Sequence, residues 1–202
     1  FDQHPDAGLI GGHIRLKIPD PRPTALFAGQ EGKWSQFITN FKQYTEVEDH
    51  AYLPWGANWC ARRLALLDIG GFRTRYGRVG NDYSGGEELV AGILIKSINF
   101  KVAIVPQAEV KHCVDDTRYT LEHLKRTIIA ARIINYRMQL DLYLPKNTSI
   151  QQSVAYVLFS RFKKFSNVTD KILNKYETRA YWILLKEQIK TLFDRFTRKD
   201  YC

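Results

Sequence analysis

The hydropathy pattern of this chain changes once, near residue 117, and that change limits the folds open to it. Upstream, short apolar runs alternate with glycine- and proline-bearing breaks; downstream, apolar residues recur only at helical spacing. Residues 9–18 end in apolar–polar alternation, the mark of a half-buried strand, and Pro19, Pro21 and Pro23 stop it in an extended linker. Trp34, Phe37, Ile38 and Phe41 stand at helical spacing and predict a short helix within 25–48. Residues 52–60 read as a strand or loop of close-packed aromatics around Gly56 and Ala57. A helix over 62–69 should end at Gly70-Gly71. A loop over 72–83 carries Arg73, Arg75, Gly77, Arg78 and Gly80, and a buried helix over 89–98 follows. Two strands, 101–105 and 108–112, are separated by Pro106. Beyond Thr120 come helices over 120–140, 150–165 and 169–197, the first broken by Pro145. There is no internal repeat. The order implies an α/β body, residues 1–116, with an α-helical C-terminal extension, residues 117–202.

Charge divides at the same place. Residues 1–116 hold 13 Lys and Arg against 14 Asp and Glu, whereas residues 117–202 hold 17 against 7. The +9 of the chain therefore belongs to the extension. Its helices are amphipathic: Val154, Val157, Leu158 and Phe159 stand against Arg161, Lys163 and Lys164. In the last helix Ile172, Leu173, Trp182, Ile183, Leu185, Ile189, Leu192 and Phe193 stand among lysines and arginines. Three uses fit such helices: packing on the body or a partner helix, lying on an anionic membrane surface, or contacting nucleic acid. No recognition motif supports the last. No run of some 18 apolar residues is present to span a bilayer. Cys60, Cys113 and Cys202 fit neither a disulfide framework nor a paired-cysteine zinc site, which points to a reducing compartment. Asn147-Thr148-Ser149 and Asn167-Val168-Thr169 match glycosylation acceptors, and with no signal peptide in view they read as chance matches. The chain opens on Phe1 and its one methionine is Met138, so it reads as the C-terminal part of a longer polypeptide.

The chemistry converges on Ser84-Gly85-Gly86-Glu87-Glu88-Leu89. Two glycines there deliver the backbone to adjacent carboxylates just before an apolar helical run. A carboxylate held at such a junction is suited to general-base work, and a glycine turn lets a ligand approach. The same letters also make a helix cap, since Ser84 and Glu87 have the S-x-x-E spacing of a capping box. Neighbouring features are equally two-sided when taken singly. Gly70-Gly71-Phe72 is a helix stop, Arg62-Arg63 a solvated helix face, and His112 an ordinary hydrogen-bonded histidine or a metal ligand.

Their order is more specific. Asp6-Ala7-Gly8-Leu9-Ile10-Gly11-Gly12-His13-Ile14 is followed by Gly56-Ala57-Asn58 with Arg62-Arg63, by Gly70-Gly71-Phe72, by Gly86-Glu87-Glu88, and by Val105-Pro106-x-Ala108-x-Val110-x-His112. This series, over a little more than half the chain, resembles the C-terminal half of family 2 glycosyltransferases, inverting GT-A enzymes that use nucleotide-sugars. Two departures stand out: Glu88 replaces the commoner aspartate, and Asp82, Tyr83 and an extra Gly85 precede the motif.

The resemblance implies a partial GT-A mixed sheet and a transferase acting in polysaccharide biosynthesis. Glu88 would be the general base; Glu87 would cap the turn or contact the acceptor, and the order of the two glutamates stays open. A carboxylate at its ordinary pKa of about 4.3 is ionised at neutral pH, as a base requires. Gly56, Ala57, Asn58 and Gly86 would line the substrate site, and Arg118 and Arg126 would contact phosphate. His112 would help hold a divalent cation, Mn²⁺ or Mg²⁺. Partners would be a nucleotide-sugar donor and a saccharide or lipid-linked acceptor, on the cytoplasmic side and possible at the inner face of the membrane. The nucleotide-binding half with its Asp-x-Asp is not in these residues, so residues 1–202 alone should be inactive and leave a sheet edge open. Two other classes compete: a non-catalytic module on the same scaffold, and a basic helical membrane or nucleic-acid adaptor.

Overall fold

Gly8, Gly11 and Gly12 interrupt the apolar residues of the strand at the centre of the first unit's sheet. Four strands, β1 (Ala7–Leu16), β2 (Thr45–Glu46), β3 (Trp59–Ala61) and β4 (Lys101–His112), form a mixed sheet in the order β2-β4-β1-β3. β1 and β4 run parallel, and the short β2 and β3 add antiparallel edges. The computed structural model describes residues 1–78, 85–142 and 149–198. Expectations about Gly80, Asp82, Tyr83, Ser84, Pro145, Asn147, Thr148 and Cys202 lie outside those residues. The chain divides into two units, Phe1–Gly80 with Gly85–Leu121 and a helical unit from Glu122 onward.

In the first unit, Leu9 and Ile14 of β1 and Ala103 and Ile104 of β4 are fully buried. Pro106 does not end β4 as expected. Gly11 pairs with Ile104 and His13 with Glu109, so residues 105–108 bulge opposite Gly12 alone. A proline is tolerated where the ladder needs no amide. Gly12 is required there for room: a Cβ on it would lie 1.8 Å from the Ala108 carbonyl oxygen. Asn58 Nδ2 closes the bulge, donating to the carbonyls of His13 at 3.0 Å and Ala108 at 2.6 Å.

The helix expected around Trp34–Phe41 does not form. A single 3-10 turn, Glu31–Trp34, ends at Ser35 in the left-handed region, φ 69°. The chain then extends, Phe37 exchanging backbone hydrogen bonds with Ile14 at 2.8 and 2.9 Å. Phe37 and Thr39 are buried while Ile38 is exposed, a period of two that the helical spacing concealed.

Helix α1 (Arg63–Asp68) is where the spacing placed it, and Gly70 and Gly71 stop it, both at φ 75°. Arg62, however, is no solvated helix-face residue. Its guanidinium donates to the carbonyls of Ala7 at 2.7 Å, Phe1 at 3.0 Å and His4 at 3.2 Å. Charged donors to backbone carbonyls contribute more than neutral ones, so Arg62→Ala is expected to cost about 1.5–3 kcal/mol, read from urea unfolding. Helix α2 (Glu87–Ser97) then packs Val90, Ala91 and Ile95 into the core, and Gly92 lets it approach Leu9 and Leu53.

The second unit contains α3 (Leu121–Asp141), α4 (Ile150–Phe159) and α5 (Val168–Arg198). α4 starts on a full capping box between Ser149 and Gln152. Ser153 of α4 and Ser160 just past its end are buried, as are Ala180, Leu184 and Gln188 of α5. Tyr156 stacks on Tyr181 at 4.1 Å, and Arg132 of α3 pairs with Glu177 of α5. The expected apolar stripes therefore do not all face inward. Val154, Leu158 and Phe159 of α4 are exposed, as are Trp182, Ile189, Leu192 and Phe193 of α5. No helix among the described residues is long and apolar enough to cross a membrane.

Candidate active site

The start of α2 sorts its two glutamates by backbone geometry. Gly86 holds φ 132°, a conformation side chains resist, and occupies the N-cap position that the sequence assigned to Ser84. Its N–H donates to Glu87 Oε2 at 3.0 Å. Glu87 thus folds back to satisfy the amide entering the helix, where a negative charge also meets the positive end of the helix dipole. Glu88, one position on, turns 100° around the helix axis and is left for other contacts.

Those contacts are with Gly56. A Cβ on Gly56 would touch the Glu88 carboxyl group at 3.5 Å, so the absence of a side chain there leaves the carboxyl room against the backbone. Burial pushes the Glu88 carboxyl above the ordinary carboxylate range, and the neighbouring Glu87 charge pushes the same way. Backbone hydrogen bonds and the charge of Arg78 oppose the shift without cancelling it.

Glu87 and Glu88 face a cavity of about 620 Å³. Trp59 and Phe72 form an aromatic wall, ring centroids 5.4 Å apart at 43°. Arg73 and Arg78 bring positive charge, and Gly56, Thr74 and Gly77 complete the described lining. Among the described residues the Trp59 indole N–H has no acceptor. The cavity therefore combines a carboxylate of raised basicity, an apolar ring platform and two guanidinium groups. Sequence reasoning found the carboxylates and Gly56, read Phe72 only as part of the Gly70-Gly71-Phe72 turn, and assigned no site role to Trp59, Arg73 or Arg78. The available signal was their position between two motif elements.

Other expected site residues lie elsewhere. Ala57 is exposed and Asn58 is committed to the bulge clamp; neither lines the cavity. The Arg118 carbonyl accepts from Trp34 Nε1 at 3.3 Å, and its side chain is exposed on a 3-10 turn outside the cavity lining. Arg126 belongs to the second unit and pairs with Glu122 at 3.0 Å.

His112 closes β4 opposite Leu16, its carbonyl accepting from Lys17 N–H at 2.9 Å. Its buried Nδ1 has no hydrogen-bond partner among the described residues. A single imidazole is one donor, and Mg²⁺ demands a near-octahedral set of oxygens. No group of three or more His, Cys, Asp or Glu side chains gathers among the described residues, so these side chains do not by themselves make a cation site. Cys60 and Cys113 are exposed free thiols.

Comparison of the chain with family models, with curated proteins and with solved structures returned no match.

Proposed function

We propose that these residues form the acceptor side of an inverting nucleotide-sugar glycosyltransferase of the GT-A type, with Glu88 as general base. The observation that carries the reading is the Glu88 carboxylate, freed by the Glu87 cap and set at a cavity with an aromatic wall. Sugar rings present C–H faces that stack on such walls, so Trp59 and Phe72 would hold an acceptor ring beside the carboxylate. Glu88 takes the proton of an acceptor hydroxyl. That oxygen forms a bond to the anomeric carbon of the donor as the bond to the diphosphate oxygen breaks, its electron pair leaving with the nucleoside diphosphate. Attack from the face opposite the leaving group inverts the anomeric centre, and Arg73 and Arg78 supply positive charge near the anionic donor.

The reading predicts a particular pH dependence. The active form of a base is deprotonated, so transfer must fall as pH drops through the Glu88 pKa. Because burial raises that pKa, the acid limb should lie above the range of an ordinary glutamate. The same burial disfavours the charged form in the fold, so removing the charge should not lower stability at neutral pH. The measurement is nucleotide-sugar turnover against pH, in a polypeptide that joins these residues to a nucleotide-binding half. An acid limb at or below the ordinary carboxylate range would overturn the assignment of Glu88.

A further inference from the structure

We propose that the turn joining α4 and α5 is a membrane-docking tip that inserts apolar side chains among anionic lipid headgroups. Leu158 is 58% exposed, Phe159 65%, Phe162 81% and Val168 73%, all within eleven residues around one turn. Singly such exposure is ordinary, but four apolar groups clustered in one exposed patch mark an interaction surface. Lys163 and Lys164 sit exposed between them, and Lys171 follows one turn into α5. Within the hairpin Tyr156 stacks on Tyr181 and Asn174 Nδ2 donates to the Ser160 carbonyl, while Leu158, Phe159 and Phe162 stay exposed.

The same character continues along α5. Val168, Lys171, Lys175, Trp182, Lys186, Ile189 and Phe193 fall on one side at helical spacing, mixing apolar and cationic groups. Such a stripe suits the interface plane, apolar groups sinking below the headgroups while lysines reach the phosphates. Charge decides between the occupants. Residues 117–202 carry 17 Lys and Arg against 7 Asp and Glu, so a second copy would oppose like charges at the contact. An anionic lipid surface is attracted by the same lysines. The inference does not depend on the reading of the Glu88 cavity.

The test is co-sedimentation of the 202-residue chain with vesicles of phosphatidylcholine alone or with 30% phosphatidylserine. Binding is expected to the anionic vesicles, weakened by salt and marginal on neutral ones. Lys163→Glu with Lys164→Glu should reduce partitioning on the order of 30-fold or more. Phe159→Ser with Phe162→Ser should reduce it by roughly 10- to 100-fold. Phe159, Phe162 and Lys164 are exposed and Lys163 Nζ stands 4.5 Å from the Tyr156 ring centroid, so circular dichroism of both double variants must first show the helical content of the parent chain. Equal binding to both vesicle types, or binding indifferent to both double variants, overturns the proposal. So does a concentration-dependent dimer in lipid-free buffer that Phe159→Ser with Phe162→Ser abolishes, since a second copy would then be the occupant.

Discussion

Glu88→Gln is expected to lower sugar transfer by roughly 10²–10⁴-fold while leaving nucleotide-sugar binding within about twofold. Glutamine keeps the volume of the side chain beside Gly56 and loses the capacity to accept a proton. The paired variant, Glu87→Gln, should retain most turnover, because its amide oxygen still accepts from the Gly86 N–H. Single-turnover kinetics and donor titration on both variants separate the two roles. Reversed behaviour would make Glu87 the base; unchanged turnover in both would remove the transferase reading from this cavity.

The largest expected effect on stability comes from Gly12→Ala. A methyl group 1.8 Å from the Ala108 carbonyl oxygen cannot be relieved by a rotamer change, because the obstacle is backbone in the central parallel pair. The strands must separate or the Asn58 clamp must open, and overpacking of this kind costs about 3 kcal/mol or more. That is a large part of the 5–15 kcal/mol typical of folded domains. Gly32→Ala is the matched control, since nothing lies within 4 Å of its added Cβ, and it should shift stability by less than about 0.5 kcal/mol. Urea midpoints of the two variants provide the comparison.

Elements whose signals are local were legible. The α1 stop at Gly70-Gly71 and the apolar run of α2 depend on residues adjacent in sequence, and both stand where the spacing put them. Where the deciding partner is distant, local pattern misled. Phe37 extends because it pairs with Ile14, and Pro106 sits inside a strand because Gly12 and Asn58 accommodate a bulge. The tail misled for another reason: its apolar residues are amphipathic by period, but period does not say which face has a neighbour. For the two glutamates the letters left the order open, and local geometry separates them: Glu87 folds back onto the Gly86 N–H, while Glu88 is turned 100° around the helix axis.

The pairing of β1 with β4 has a kinetic side as well. It joins segments far apart in the chain, 94 residues in the case of Arg15 and Glu109, and contacts of such sequence separation form slowly against loop-closure entropy. Every described residue of the cavity, from Gly56 to Glu88, lies inside the loop those strands close. A nascent chain that has emerged only as far as α2 already contains the carboxylates and the aromatic wall, yet lacks the strand that seats them. Assembly of the cavity therefore waits on β4, and the rate at which that long loop closes sets the earliest moment at which Glu88 meets its surroundings.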